Sequence, residues 1–144
     1  MTPIEWMLAE HEVARLVTRY AMLNDDGDHV GVAALYVEDG RMARPSGGEP
    51  VVGRDAILQS FLARPPRIAR HIITSILPEI VSADEATCRS TMLLHAAPQG
   101  DLPAKAKGPA LLGGFRDRLV RTAEGWRFAE RIGYVDMTIG ETSQ

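Results

Sequence analysis

The chain has 144 residues, 45% hydrophobic and 24% charged, the composition of a folded globular protein and not of a disordered segment. Sixteen basic against nineteen acidic side chains leave a net charge of −3, and the only lysines are Lys105 and Lys107, so no basic run supplies a nucleic-acid footprint. A lone cysteine, Cys88, excludes an intrachain disulfide, and no apolar stretch approaches the ~20 residues that span a bilayer. With Glu5, Glu10 and Glu12 where a secretory leader would be basic, the expectation is a cytoplasmic protein forming one domain over residues 1–144, with no membrane and no nucleic-acid partner.

Thr2-Pro3-Ile4-Glu5 is a helix start, with Thr2 as cap, Pro3 at the first helical position and Glu5 closing a capping box. Val13, Leu16, Val17 and Tyr20 follow at helical spacing. Gly27 ends that helix, and Asp28 caps a short second one through Val32, Ala33, Leu35 and Tyr36. Glu38-Asp39-Gly40 is expected to be a turn, followed by a short strand at Arg41–Arg44 and a loop over Pro45–Pro50. A third short helix is expected from Arg54 to Leu62, stopped by Pro65-Pro66. The remainder changes character. Arg70–Val81, Glu85–Ala96, Leu111–Thr122 and Trp126–Thr138 are long strands, joined into hairpins at Ser82-Ala83-Asp84 and Glu124-Gly125. Helices first and strands afterwards predict an α+β domain. Helices this short cannot cover a flat sheet of such length, so the sheet is expected to curl around the first helix and leave a concave cavity. Its outer face then stays partly apolar, which predicts a homodimer through that face.

The polar cluster Arg19-Tyr20-Ala21-Met22-Leu23-Asn24-Asp25-Asp26-Gly27-Asp28 closes the first helix, and Arg70-His71 opens the first long strand. A carboxylate beside an imidazole forms a general acid/base pair, because it fixes the tautomer and stabilises the imidazolium. The pieces Tyr20-Ala21-x-x-x-Asp25-x-Gly27-Asp28, Leu35-Tyr36-x-x-Asp39-Gly40, Gly53-Arg54-x-Ala56-Ile57, Arg70-His71 and Gly125-Trp126-Arg127-Phe128-x-x-Arg131 span nearly the whole chain. Together they resemble the nuclear transport factor two-like superfamily in its SnoaL-like branch. That branch is similar to scytalone dehydratase, a hexachlorocyclohexane dehydrochlorinase, polyketide cyclases and the small subunit of ring-hydroxylating dioxygenases. The resemblance implies a cone-shaped α+β roll with a deep pocket, often a homodimer. It also implies an Asp/His dyad in which Asp25 and His71 occupy the catalytic positions. The helper groups differ: Asn24 stands where the dehydratase has a tyrosine, and Tyr20 where the dehydrochlorinase has a lysine.

Around the dyad, Tyr20 is the candidate substrate polariser, and Met42 and Phe115 are candidate pocket walls. His95 enters through strand pairing. If the first long hairpin turns about Ala83, His95 lies opposite His71 with Cβ atoms roughly 4.5–5.5 Å apart. Arg131 faces either the cavity mouth or an acid across the sheet. His11 and His29 are expected at the surface. Asp25, His71 and His95 are the one set that could ligate zinc. No short-spaced histidine pair and no second cysteine accompany them, so no metal is expected. Gly47-Gly48 and Gly113-Gly114 precede no helix, hence no phosphate loop and no cofactor. The expected function is a cofactor-free lyase or isomerase, dehydratase- or cyclase-like, acting on a small apolar oxygenated molecule. In it His71 abstracts a proton, Asp25 orients His71, and Tyr20 or His95 binds the developing oxyanion. The competing expectation is a non-catalytic ligand-binding or assembly module whose cone is filled by side chains.

Overall fold

A computed structural model describes residues 1–140. Its elements are α1 (Pro3–Asp25), α2 (His29–Ala33), β1 (Tyr36–Ala43), β2 (Val51–Val52), α3 (Arg54–Leu62), β3 (Arg67–Ile80), β4 (Glu85–Pro98), β5 (Ala110–Thr122) and β6 (Gly125–Ile139). The capping box forms as expected: Glu5 N–H donates to Thr2 Oγ1 at 3.1 Å, and Thr2 N–H donates to Glu5 Oε2 at 2.9 Å. Asp28 caps α2 by accepting from Gly31 N–H at 2.8 Å. The two-residue strand β2 was not foreseen; its pairing with β1 is short enough to leave no pattern in the sequence.

Six strands form one sheet in the order β2-β1-β6-β5-β4-β3. Every neighbouring pair is antiparallel except β1 and β6, which run parallel. The result is the expected α+β architecture, a mostly antiparallel curved sheet. Gly113 and Gly114 let it curve: a Cβ on Gly113 would sit 1.9 Å from the Tyr134 carbonyl oxygen, and one on Gly114 would sit 2.2 Å from that of Ser90. The β5–β6 register slips at Leu112/Gly113, so a bulge and two bare backbones coincide where the strands bend.

Helix α1 lies in the concavity. Its stripe of Ala9, Val13, Leu16, Val17 and Tyr20 packs with Ile57, Phe61, Ala86, Cys88, Leu119, Trp126 and Phe128 in the main core. Each fully buried Val or Phe there contributes about 1.5–3 kcal/mol through the area removed from water. A second, smaller cluster of Ala69, Met92, Leu94 and Phe115 lies farther along the sheet. On the outer face Ile72 and Leu77 remain exposed at 52% and 57%. No described helix is long and apolar enough to cross a membrane.

Two local expectations are corrected. The turn expected at Glu38-Asp39-Gly40 lies inside β1, as an irregularity where the β1–β6 register shifts between Tyr36 and Arg41. It is held from the side: the Arg54 guanidinium donates twice to the Tyr36 carbonyl, at 2.9 and 2.7 Å, and Gly53 N–H donates to the Gly40 carbonyl at 2.7 Å. The Gly53-Arg54 and Asp39-Gly40 pieces of the sequence pattern thus brace one another. The second helix ends at Ala33, and Leu35 and Tyr36 are buried instead as the chain enters β1.

Candidate active site

Asp25 is the last residue of α1, and His71 is the fifth residue of β3. Packing α1 against β3 brings them into contact across 46 residues of sequence. His71 Nδ1 lies 2.5 Å from Asp25 Oδ1, and the His71 backbone N–H donates to Asp25 Oδ2 at 2.8 Å. One carboxylate therefore holds the residue at both its ring and its main chain. With Nδ1–H donated to Asp25, Nε2 carries the free lone pair. The two side chains are 8% and 12% exposed, a setting dry enough to strengthen the contact and open enough for a substrate to reach the ring.

His71 forms part of the wall of a cavity of about 360 Å³, a size typical of small-molecule sites. Tyr20, Met42 and Phe115 line it as expected, together with Asn24, Phe61, Met92, Leu94 and Leu111. The Tyr20 hydroxyl pairs with that of Tyr36 at 3.0 Å and lies 3.7 Å from Met42 Sδ. Burial raises the pKa of both phenols, so each stays a neutral hydrogen-bonding group.

His95 is not in the cavity. Near the turn the β3–β4 register is the expected one, with Ile80 opposite Ala86 and Leu77 opposite Arg89. A bulge then places Ser75 and Ile76 across from one residue of β4, and Ser75 takes a positive φ of 51°. Beyond it the pairing is shifted by one: His71 faces Leu94, and His95 pairs with Arg70 on the exposed outer face. His29 departs from expectation as well. It is half-buried, with its ring stacked on Phe61 at 5.8 Å between centroids.

Arg131, expected either at the cavity mouth or paired with an acid across the sheet, takes the pairing, and it lies on the cavity's inner wall instead of at the mouth. Arg131 is 1% exposed and lines the cavity, while its Nε lies 3.1 Å from Oδ1 of Asp117, its cross-strand partner. That distance makes an ion pair without the alignment of a hydrogen bond, and Nη1 and Nη2 have no partner. The guanidinium is boxed by the rings of Phe115, Tyr20 and Phe128, at 3.8, 4.2 and 4.8 Å from their centroids. Burial pushes the Asp117 carboxyl up to about 6, against the opposing pull of Arg131. Inward alternation along β5 (Phe115, Asp117, Leu119) was the signal that could have found Asp117. Arg44, Arg64 and Arg67, which also line the cavity, sit in loops or at element ends where no periodicity points to a face. Among the described residues no three His, Cys, Asp or Glu side chains converge as a metal site would require.

Residues 5–132 match the SnoaL-like domain model. The chain belongs to the SnoaL-like domain family. No curated protein sequence matches it. Among solved structures it is similar to a provisionally named scytalone dehydratase from Novosphingobium aromaticivorans, at 23% identity and TM-score 0.82, covering 99% of this chain and 94% of that one. It is also similar to a nuclear transport factor two-like protein with a cystatin-like fold from the same organism, at 24% identity and TM-score 0.76, covering 92% and 84%. A Mycobacterium tuberculosis protein of unknown function matches at 28% identity and TM-score 0.75, covering 94% and 77%. At these identities the two Novosphingobium structures establish the shared fold, and chemistry has to come from the site.

Proposed function

We propose that this SnoaL-like protein is a lyase or isomerase that needs no cofactor and abstracts a proton from carbon next to a carbonyl of a small, largely apolar substrate. The single observation that carries this is the Asp25–His71 contact, with the ring on the wall of an open cavity. A cone filled by side chains would have favoured the non-catalytic module; a void of about 360 Å³ beside the dyad supports the enzyme instead. A scytalone dehydratase-like neighbour is consistent with elimination chemistry.

In this proposal His71 Nε2 takes the α-proton, and the C–H electron pair moves into the carbonyl to form an enolate. Asp25 balances the imidazolium through Nδ1–H. Arg131, with two unpartnered nitrogens, supplies positive charge for the enolate oxygen, and the Tyr20 hydroxyl donates where it can leave its bond to Tyr36. For a β-hydroxy substrate the enolate electrons return to form the carbon–carbon double bond. The leaving hydroxide takes the proton from His71 and departs as water. Where no β-hydroxyl is present, reprotonation at another carbon gives the isomer. Met42, Phe61, Met92 and Phe115 shield the enolate from bulk water.

Exchange of the α-hydrogen in heavy water, followed by proton NMR over a panel of cyclic ketones and hydroxy-ketones, tests the shared first step. Wild-type protein should accelerate exchange for at least one compound, and His71→Ala should lower that rate by about 10²–10⁴-fold. Exchange that persists unchanged in His71→Ala, or no exchange with any ketone, overturns the proposal.

A further inference from the structure

Four arginines line the cavity, Arg44, Arg64, Arg67 and Arg131, and no aspartate or glutamate does. They form a gradient of depth: Arg67 is exposed, Arg64 and Arg44 are half-buried, and Arg131 is buried, so the first three mark the entrance and the fourth the interior. Arg131 has its acid in Asp117 behind it. Among the described residues none of the other three has a carboxylate within 4.0 Å, although elsewhere the chain supplies acids to Arg41 and Arg127.

The three are close enough to repel one another. The Arg64 pKa is lowered to about 10, first by burial, then by Arg44, with Arg67 adding to the effect. Arg64 is seated with its guanidinium 4.1 Å from the Phe61 ring centroid, on a ring that is itself part of the cavity wall. Arg44 spends one nitrogen on the Ser60 carbonyl, at 2.7 Å, and its buried Nε has no partner. Desolvated, unpaired like charges destabilise a folded chain unless an anion completes them. Guanidinium forks match the planar geometry of a carboxylate, and the low-polarity wall beyond them suits a carbon skeleton.

We propose that the cavity's ligand is an organic carboxylate, its anionic group held at the entrance by Arg44, Arg64 and Arg67 and its apolar body directed inward toward His71. This rests on the reading of the cavity as the substrate site, and it names the substrate class which that reading leaves open. A carboxylate held at the entrance also fixes which carbon meets His71, because it anchors one end of the ligand at three arginines.

Calorimetric titration with naphthoate and with its neutral isostere naphthamide tests this independently of turnover. Naphthoate should bind at least about tenfold tighter than naphthamide, as charge-assisted hydrogen bonds predict, and its affinity should fall as potassium chloride is raised. Arg64→Gln should erase most of that preference. Arg67→Gln, at an exposed position where folding is not in question, should reduce it several-fold. His71→Ala should keep the preference intact, so loss of catalysis and loss of the anion site are read separately. Equal binding of the two compounds, or a preference unchanged in both arginine variants, overturns the carboxylate site while leaving the proton-abstraction proposal standing.

Discussion

Two carboxylate pairs of opposite design each give the cavity one lining residue, His71 and Arg131, with the acid standing behind it. Asp25 and His71 meet at the cavity's edge, joined by two directed hydrogen bonds from ring and backbone, and both side chains keep some exposure. Asp117 and Arg131 meet behind its inner wall, both buried, joined by proximity alone, with five polar atoms lacking hydrogen-bond partners. A pair whose hydrogen bonds are made and which keeps partial exposure places little demand on the fold. A buried, under-satisfied pair is instead a structural commitment: removing the arginine strands a buried carboxylate, while protonating Asp117 relieves that carboxylate's own desolvation.

The sharpest way to break that comparison is at the buried pair. Arg131→Met should destabilise the protein by about 3–5 kcal/mol, because Asp117 is left buried without a counter-charge. The double variant Arg131→Met/Asp117→Leu should recover most of that loss in urea denaturation. A double variant no more stable than the single one would mean that the aromatic box around Arg131, and not the charge of Asp117, sets the cost.

The titration of Asp117 sharpens the same contrast. Its folded pKa of about 6 lies above the ordinary 3.8, so the folded state holds the proton more firmly than the unfolded state does. Stability from this group is then greatest below about pH 4, declines between about pH 4 and 6, and is level above. The full decline amounts to at most about 3 kcal/mol at 1.36 kcal/mol per unit. Unfolding midpoints of wild type should fall relative to Asp117→Asn across that window; parallel curves would show that Asp117 ionises alike in the folded and unfolded states.

At the edge pair the expected change is in rate and not in stability. Asp25→Asn preserves the shape of the side chain and an oxygen for the His71 backbone N–H, but an amide cannot balance an imidazolium. Exchange activity should drop about 10²-fold, less than for His71→Ala, with little change in melting temperature. A large loss of stability in Asp25→Asn would place this pair with the structural one. The smallest effect is expected at His95→Ala on the outer face, within about 0.5 kcal/mol in stability and without effect on exchange.

Several features of the site were legible in the residues. The capping box, the helical stripe ending at Tyr20 and the turn at Asp26-Gly27 place Asp25 at the close of α1, and the apolar run after His71 puts that residue in a strand, although the strand opens at Arg67 and not at the expected Arg70. These are local signals, written in neighbours three or four positions away, and they survive folding because nothing in the core opposes them. Met42 and Phe115 were expected as pocket walls, and both line the cavity.

Register was not legible, and register decided the rest. The bulges at Ser75-Ile76 and Arg118/Leu119 cost one residue each and leave no compositional mark, yet each exchanges the two faces of everything beyond it. The bulge at Ser75-Ile76 turned His95 away from His71, and a second slip between Arg118 and Leu119 set Asp117 opposite Arg131, where the pairing near the turn would have offered Glu130. What this sequence determined by itself was which segments are helix and strand, and that an aspartate closes a helix while a histidine lies in the first part of a strand. Which side chains share the cavity with them was decided only when α1 packed into a curved sheet, because the slips at Ser75-Ile76 and Arg118/Leu119 answer to the packing of the whole sheet and not to the residues at which they occur.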